Sequence, residues 1–254
     1  MRVVSLASGS GGNACCVVAE GEALLVDCGL SRRELEKRCL AAGIGPDAIR
    51  AVVFTHNHND HIKGVDTFHS KHPDATLYAN MMTADAIAAA TGVEDFALFE
   101  NGQSFRAGPF EIKAFSIPHD VPDPVGFLVR ADGTTYFHAT DVGAPLDSVG
   151  VNLAEADIAT LESNHDPVML AQSRRTECLK RRIRGPRGHL SNGDCADLLR
   201  RFAPRRLKTL LLAHISQECN APHLAESEAR AALAERGLAG VAVKVLSQDL
   251  PVEA

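Results

Sequence analysis

The sequence predicts an α/β protein in which two mixed β-sheets pack face to face with helices on the outside. Three observations lead there. Short β-branched runs alternate with helical patterns along the chain, the signature of layered α/β architecture. The runs form two sets, an N-terminal group joined by hairpin-like turns and a later group spaced by helices, and each set has apolar residues to bury on both faces. No Pro/Ser-rich linker, charge block, internal repeat or low-complexity segment divides the 254 residues, so one domain over 1–254 is expected. An apolar content of 45% fills a sizeable core and excludes disorder as the main state.

Strands are expected at 2–6, 15–19, 23–27, 51–55, 110–117, 125–130, 134–139, 158–162, 207–214 and 241–246. One helix is marked at both ends. Ser31 and Glu34 have capping-box spacing, Leu30 and Leu35 stand where a hydrophobic staple would, and Gly43 follows the last turn. Further helices are expected at 60–71, 83–90, 191–202 and 223–235. The first apolar run, residues 3–7, is broken at once by SGSGGN, too short for a signal peptide and far too short to span a bilayer. Seven cysteines, an odd number with no CxxC pair, fit reduced thiols better than a disulfide framework. Cys15, Cys16 and Cys28 read as small apolar core residues. A cytoplasmic protein without membrane contact is expected. The formal net charge of −6 argues, as an average, against a polyanionic partner.

The informative stretch is Val52-Val53-Phe54-Thr55-His56-Asn57-His58-Asn59-Asp60-His61. An apolar strand runs straight into four potential ligands within six residues, so a rigid element delivers imidazoles and a carboxylate at its end. His56 and His58, two apart on extended backbone, project to one side, while Asp60 and His61 begin the next helix and face a second point. Imidazole and carboxylate without thiolate suit zinc, manganese or iron.

THNHNDH resembles the HxHxDH signature of metallo-β-lactamase-fold hydrolases, and other motifs of that family follow in order. His119 in SIPHD, Asp141 in HATDVG and His214 in LLAHIS each follow an apolar strand, and Asp27 in LLVDCG matches the family's structural aspartate. The resemblance covers nearly the whole chain and implies an αββα sandwich with a dinuclear site on one edge. It further implies that His56, His58 and His119 hold one metal, that Asp60, His61 and His214 hold the other, and that Asp141 bridges them. GHLSNGDCADLL, residues 188–199, resembles the GHxS element of the family's nucleases and phosphodiesterases. His189 would then face the scissile phosphate, with Ser191 capping a helix whose N-terminus favours an anion. LESNHD, HISQECNAPHLA, SGSGGN and LKRRIRGPRGHLSN resemble the small bacterial members related to the YycJ or WalJ proteins, a subgroup associated with 5′-to-3′ exonuclease activity on DNA. Cys219 departs from the asparagine expected in the final motif and puts a substrate or packing contact in question.

Charge distribution qualifies the net charge. Between Arg174 and Lys208 stand twelve basic residues against three acids, so that segment carries +9 and the remainder −15. Because the run brackets His189, it predicts a phosphate-binding patch, with Arg181, Arg182, Arg184 and Arg187, together with Ser191 and Asn192, as substrate-binding residues. The expected chemistry is phosphodiester hydrolysis by a hydroxide between two divalent metals, with Asp60 orienting the nucleophile, His189 assisting the leaving oxygen, and Glu162 and His165 fixing metal-bound imidazoles through hydrogen bonds. A thioester or lactone hydrolase of the same fold, a non-catalytic metal-binding regulator, and RNA in place of DNA are the competing readings.

Overall fold

A computed structural model describes the chain from Met1 to Ala254 as two seven-stranded mixed sheets. The first carries, side by side in chain order, β1 (Arg2–Ala7), β2 (Ala14–Ala19), β3 (Glu22–Val26), β4 (Ile49–Val53), β5 (Thr76–Ala79) and β6 (Phe96–Leu98). The second carries β7 (Ser104–Ala107), β8 (Phe110–Ser116), β9 (Val125–Ala131), β10 (Thr134–Ala139), β11 (Ile158–Glu162), β12 (Thr209–Ala213) and β13 (Ala242–Val245). The C-terminal β14 (Val252–Glu253) returns to the first sheet beside β1.

Residues of successive parity on each strand enter different cores, which is why the strands read as unbroken apolar runs. Cys15 and Val17 of β2 face the layer between the sheets, where they meet Phe110, Phe127, Tyr136 and Leu211 from the second sheet. Cys16, on the other face, packs with the helices α1 (Arg32–Ala41), α3 (Val65–Lys71) and α4 (Met81–Thr91). The outer face of the second sheet is covered by α5 (Asp147–Leu153), α8 (Asn192–Phe202) and α9 (Pro222–Glu235). The layers are therefore αββα, as expected. No helix is long and apolar enough to cross a membrane. All seven cysteines are free, and burial pushes the Cys15 thiol up to about 12.

The division into a hairpin group and a helix-spaced group needs correction, because it recurs inside each sheet. β1, β2 and β3 pair antiparallel and β3 to β6 parallel; β7 to β10 pair antiparallel and β10 to β13 parallel. The helix expected over 60–71 is two helices, α2 (Asn59–Ile62) and α3. They are separated at Gly64, where a Cβ would sit 1.9 Å from the Leu30 carbonyl oxygen. Ser31 does cap α1, accepting the Glu34 N–H at 3.4 Å, but the Glu34 carboxylate accepts from Arg38 instead of closing the box. Strands β5, β6 and β7 and the helices α5, α6 (Pro167–Gln172) and α7 (Glu177–Arg184) were not expected; each is short, and α7 is mostly charge, with Leu179, Lys180 and Ile183 facing inward.

This topology places the functional edge. Strands β3 and β4 run parallel in one sheet, and β8, β10, β11 and β12 share a direction in the other. The chain segments leaving the C-terminal ends of these six strands carry Asp27, the 55–61 stretch, His119, Asp141, Glu162 and His214.

Candidate metal centre

Two groups of ligand-type atoms meet at this edge. In the first, His56 Nε2 and His119 Nε2 stand 3.1 and 3.3 Å from His58 Nδ1. Burial, reinforced by the crowding of imidazoles, lowers the pKa of all three rings, so they are neutral and able to ligate. In the second, His61 Nε2 lies 2.9 Å from Asp141 Oδ2 and 3.6 Å from Asp60 Oδ2, and His214 Nε2 lies 3.8 Å from the same Asp60 oxygen. Asp141 stands between the groups, its Oδ1 4.0 Å from His119 Nε2. Such spacings suit nitrogen and oxygen atoms sharing a cation at bond lengths of about 2.0–2.2 Å.

The backbone is bent to make this possible. Asp27, Asp141 and His214 each follow a strand with φ of +60°, +58° and +56°, a left-handed conformation that non-glycine residues hold only where their surroundings fix it. Each turn swings a side chain into the space between the sheets.

Nearly every ligand is oriented through its other ring nitrogen. His61 Nδ1 donates to Asp27 at 2.7 Å, and Thr55 donates to the same carboxylate at 2.8 Å while facing His56 Nδ1 at 3.0 Å. His119 Nδ1 donates to the Gly188 carbonyl at 3.1 Å. His214 Nδ1 donates to Glu162 Oε1 at 3.0 Å, and the other Glu162 oxygen accepts the Val142 and Leu190 N–H groups. Asn13 donates to Asp60 at 3.1 Å, Ser8 accepts the His214 N–H at 2.8 Å, and Asn164 donates to the His214 carbonyl at 2.8 Å. The fit to metal rests on two atoms. Asp141 Oδ2 and His214 Nε2 are buried without a hydrogen-bond partner, and both face the second group. Asp141, Glu162, His189 and His214 also converge closely, but the Glu162 oxygens are satisfied by protein donors, which leaves the orphaned pair as the cation-seeking atoms.

Without metal this site holds protons. Burial opposes it, yet Asp27 and Asp141 raise the His61 pKa well above the imidazole range. Against the same penalty, Asp141, Asp60 and Glu162 push His214 up to about 10. Asp141, buried between His214 and His61, is held well below the carboxylate range.

A family model described as a beta-lactamase superfamily domain matches residues 22–215. The chain belongs to the metallo-β-lactamase superfamily. Exodeoxyribonuclease WalJ of Streptococcus pneumoniae is 33% identical over 246 residues, 94% of this chain and 91% of that protein. Exodeoxyribonuclease YycJ of Bacillus anthracis is 32% identical over 235 residues, 91% of this chain and 89% of that protein. Zinc-bound PqqB from Methylobacterium extorquens superposes with a TM-score of 0.74 at 18% identity over 99% of each chain. This member of the superfamily is a metal-dependent hydrolase, and its histidine and aspartate cluster is a divalent-metal site.

Around the cluster the remaining residues separate. His189 joins it: its Nδ1 donates to Glu162 Oε1 at 2.8 Å and lies 3.3 Å from Asp141 Oδ1, and its ring stands 5.3 and 5.1 Å from those of His119 and His214. Ser191 closes a capping box with Asp194 at the start of α8. Asn192 does not reach the cleft, because its buried amide is exchanged with Asn220 and accepts from Ser163. His165 orients no ligand: its backbone pairs with Ser191 and Asn192 and its Nδ1 has no partner. Cys219 packs with Leu170 and Ile183, a structural contact.

The basic segment is not one patch. Arg200, Arg201 and Arg206 pair with Glu235, Asp197 and Asp157 toward the far end of α8. Exposed Arg181, Arg184 and Arg187 stay free of ion pairs before His189, while Arg182 donates to Asp120. That aspartate was missed in the sequence although it follows His119 directly. Its Oδ1 lies 3.8 Å from His58 Nε2 and 3.5 Å from His119 Nε2. Thr55 was missed although it directly precedes His56, whereas Asn13, Ser8 and Asn164 act through space on ligands distant in the chain, and only the SGSGGN and SNHD motifs pointed toward them.

Proposed function

We propose that the chain is a dinuclear-metal phosphodiester hydrolase and, more narrowly, a 5′-to-3′ exodeoxyribonuclease. The observation that carries this reading is the place of His189, tied through Nδ1 to Glu162 beside both ligand groups, with Nε2 left for a substrate at the entrance to α8. A helix N-terminus and an imidazole at one point suit a phosphate better than an acyl group. The relatives named exodeoxyribonucleases, aligned over more than nine-tenths of this chain, support DNA.

His56, His58 and His119 would hold one divalent cation and Asp60, His61 and His214 the other, with Asp141 shared; zinc or manganese, or iron, bound there would lower the pKa of a water and supply hydroxide near neutral pH. Asp60 would accept a hydrogen bond from that nucleophile and orient it. His214 and His61 keep the Asp60 carboxylate below its usual pKa despite burial, so it is ionised and able to accept. His189 donates a proton to the leaving oxygen; burial opposes its charged form, but Glu162 and Asp141 raise its pKa and keep the proton available. Glu162 holds the ring in one tautomer. Arg181, Arg182, Arg184 and Arg187 draw the phosphate backbone toward the edge without reading bases.

The test is digestion of 5′-phosphorylated single- and double-stranded DNA by the metal-loaded protein. Mononucleotides appearing progressively from the 5′ end are expected. Turnover of a glutathione thioester with no phosphodiester cleavage would replace this reading by the acyl-hydrolase one.

A further inference from the structure

A polar cleft of about 690 Å³ opens where the second ligand group ends. Its inner end is formed by Ser8, whose hydroxyl accepts the His214 N–H, and by Ile215 and Ser216, which follow His214 directly. One wall is the glycine-rich turn over residues 9–11. Gln248 holds that turn, accepting the Gly11 N–H at 2.8 Å and donating to the Gly12 carbonyl at 3.0 Å, while Asn13 accepts the Gly9 N–H at 2.9 Å. Gly9 holds a φ of +138°, a conformation that favours glycine, and Gln248 packs directly over Gly9 and Gly11, so the wall is shaped before a ligand arrives. Ile215, Val245 and Leu246 supply an apolar surface, and Glu218, paired with Arg175 at 3.1 Å, stands at the rim with Asp249.

We propose that this cleft is the subsite for the terminal nucleoside of the strand, seating one sugar and base beside the scissile phosphate. It rests on the nuclease reading and deepens it. The volume falls in the range of sites that enclose a small ligand. The apolar surface suits the flat face of a base. Arg175, which also lines the cleft and pairs with Glu218, is the cation that meets a terminal 5′-phosphate, Asp249 accepts from amino and hydroxyl groups, and the rest of the strand, which continues from the scissile phosphate, stays outside the cleft. It lies instead with the unpaired arginines of α7, on the side where Arg182 reaches Asp120 near His58. A site that admits one terminal nucleotide measures from an end, which makes removal of mononucleotides, and not internal cutting, its natural outcome.

Ser10→Trp and Gln217→Trp place an indole in the cleft from two exposed positions that touch no ligand residue. Metal-loaded variants are expected to release mononucleotides about ten-fold more slowly than the parent while hydrolysing bis(p-nitrophenyl) phosphate within about two-fold of it. Unchanged mononucleotide release in both variants overturns the assignment. Titration of the unaltered, zinc-loaded protein with deoxyadenosine, followed by methyl NMR, needs no variant: shifts at Ile215, Val245 and Leu246 are expected, and their absence at millimolar nucleoside also overturns it. A parent protein that cleaves no phosphodiester with any metal refutes the nuclease reading instead, while the nucleoside titration still decides the cleft.

Discussion

Asp141 and His214 show how a single residue couples strain, charge and chemistry. Each leaves its strand in a left-handed turn and presents a buried atom without a hydrogen-bond partner. The protonated His214 is the metal-free substitute for a cation, and its titration has a definite sign. Its folded pKa, about 10, lies above the ordinary imidazole value of ~6.5, so in metal-free protein this proton contributes stability fully present below pH ~6.5 and lost as pH rises through about 10. Metal must displace it. Zinc binding near pH 7 is therefore expected to release protons, with His61 contributing as well, and calorimetry in buffers of different ionisation enthalpy should show it; buffer-independent heats would show that both rings were already neutral. His189 stands apart because its Nδ1 is committed to Glu162 and its Nε2 is not needed by either ligand group. His189→Ala should lower kcat by about 10²–10⁴ with metal content unchanged. Metal analysis beside steady-state kinetics separates that result from the loss of both expected for His214→Ala.

Among the elements, legibility followed contiguity. The β4 strand and the ligands after it were readable because apolar run and donors are adjacent in the chain, and the same held for β10 with Asp141 and β12 with His214. Boundaries failed where packing overrode local pattern, as at Gly64, which lets α2 and α3 pass the Leu30 backbone. Helix α7 failed differently: its charges read as a phosphate-binding patch with no helix assigned to them, and only the structure shows Leu179 and Ile183 seating it and Arg182 reaching Asp120. That contact ties a surface helix to the first ligand group. Asp120 Oδ1 lies 3.8 Å from His58 Nε2, beyond hydrogen-bond length, and its pairing with Arg182 fixes the carboxylate beside the ring, so Asp120 is expected to act electrostatically as a positioning residue for His58. Asp120→Asn should weaken metal affinity about 10- to 100-fold, read by competition with a chromogenic chelator, while the melting temperature of the metal-free protein stays near that of the parent. Equal metal affinity would reduce the Arg182–Asp120 pair to a surface contact.

For the whole molecule, the fold sorts a charge distribution that composition could not. The +9 segment is divided by the length of α8, eleven residues or roughly 16 Å, so its distal arginines are paired toward the end of α8 away from His189. What remains at the metal edge is the short stretch of α7 and the loop after it, where Arg181, Arg184 and Arg187 are exposed. The acidic remainder is no obstacle to a polyanion, because Asp60, Asp141 and Glu162 lie at the centre that cations neutralise. If a strand approaches along α7, binding must release counterions there and not at the distal cluster. Replacing Arg181 and Arg184 by Ala should reduce the salt dependence of single-stranded DNA binding, the slope of log K against log salt, by about 1.4, at ~0.7 per phosphate. Replacing Arg205 and Lys208, equal in charge, should leave the slope unaltered. Fluorescence anisotropy across a salt series, on an Asp60→Asn background to suppress cleavage, measures both, and equal slopes for the two double variants would mean that net charge, not the α7 edge, governs the approach of DNA.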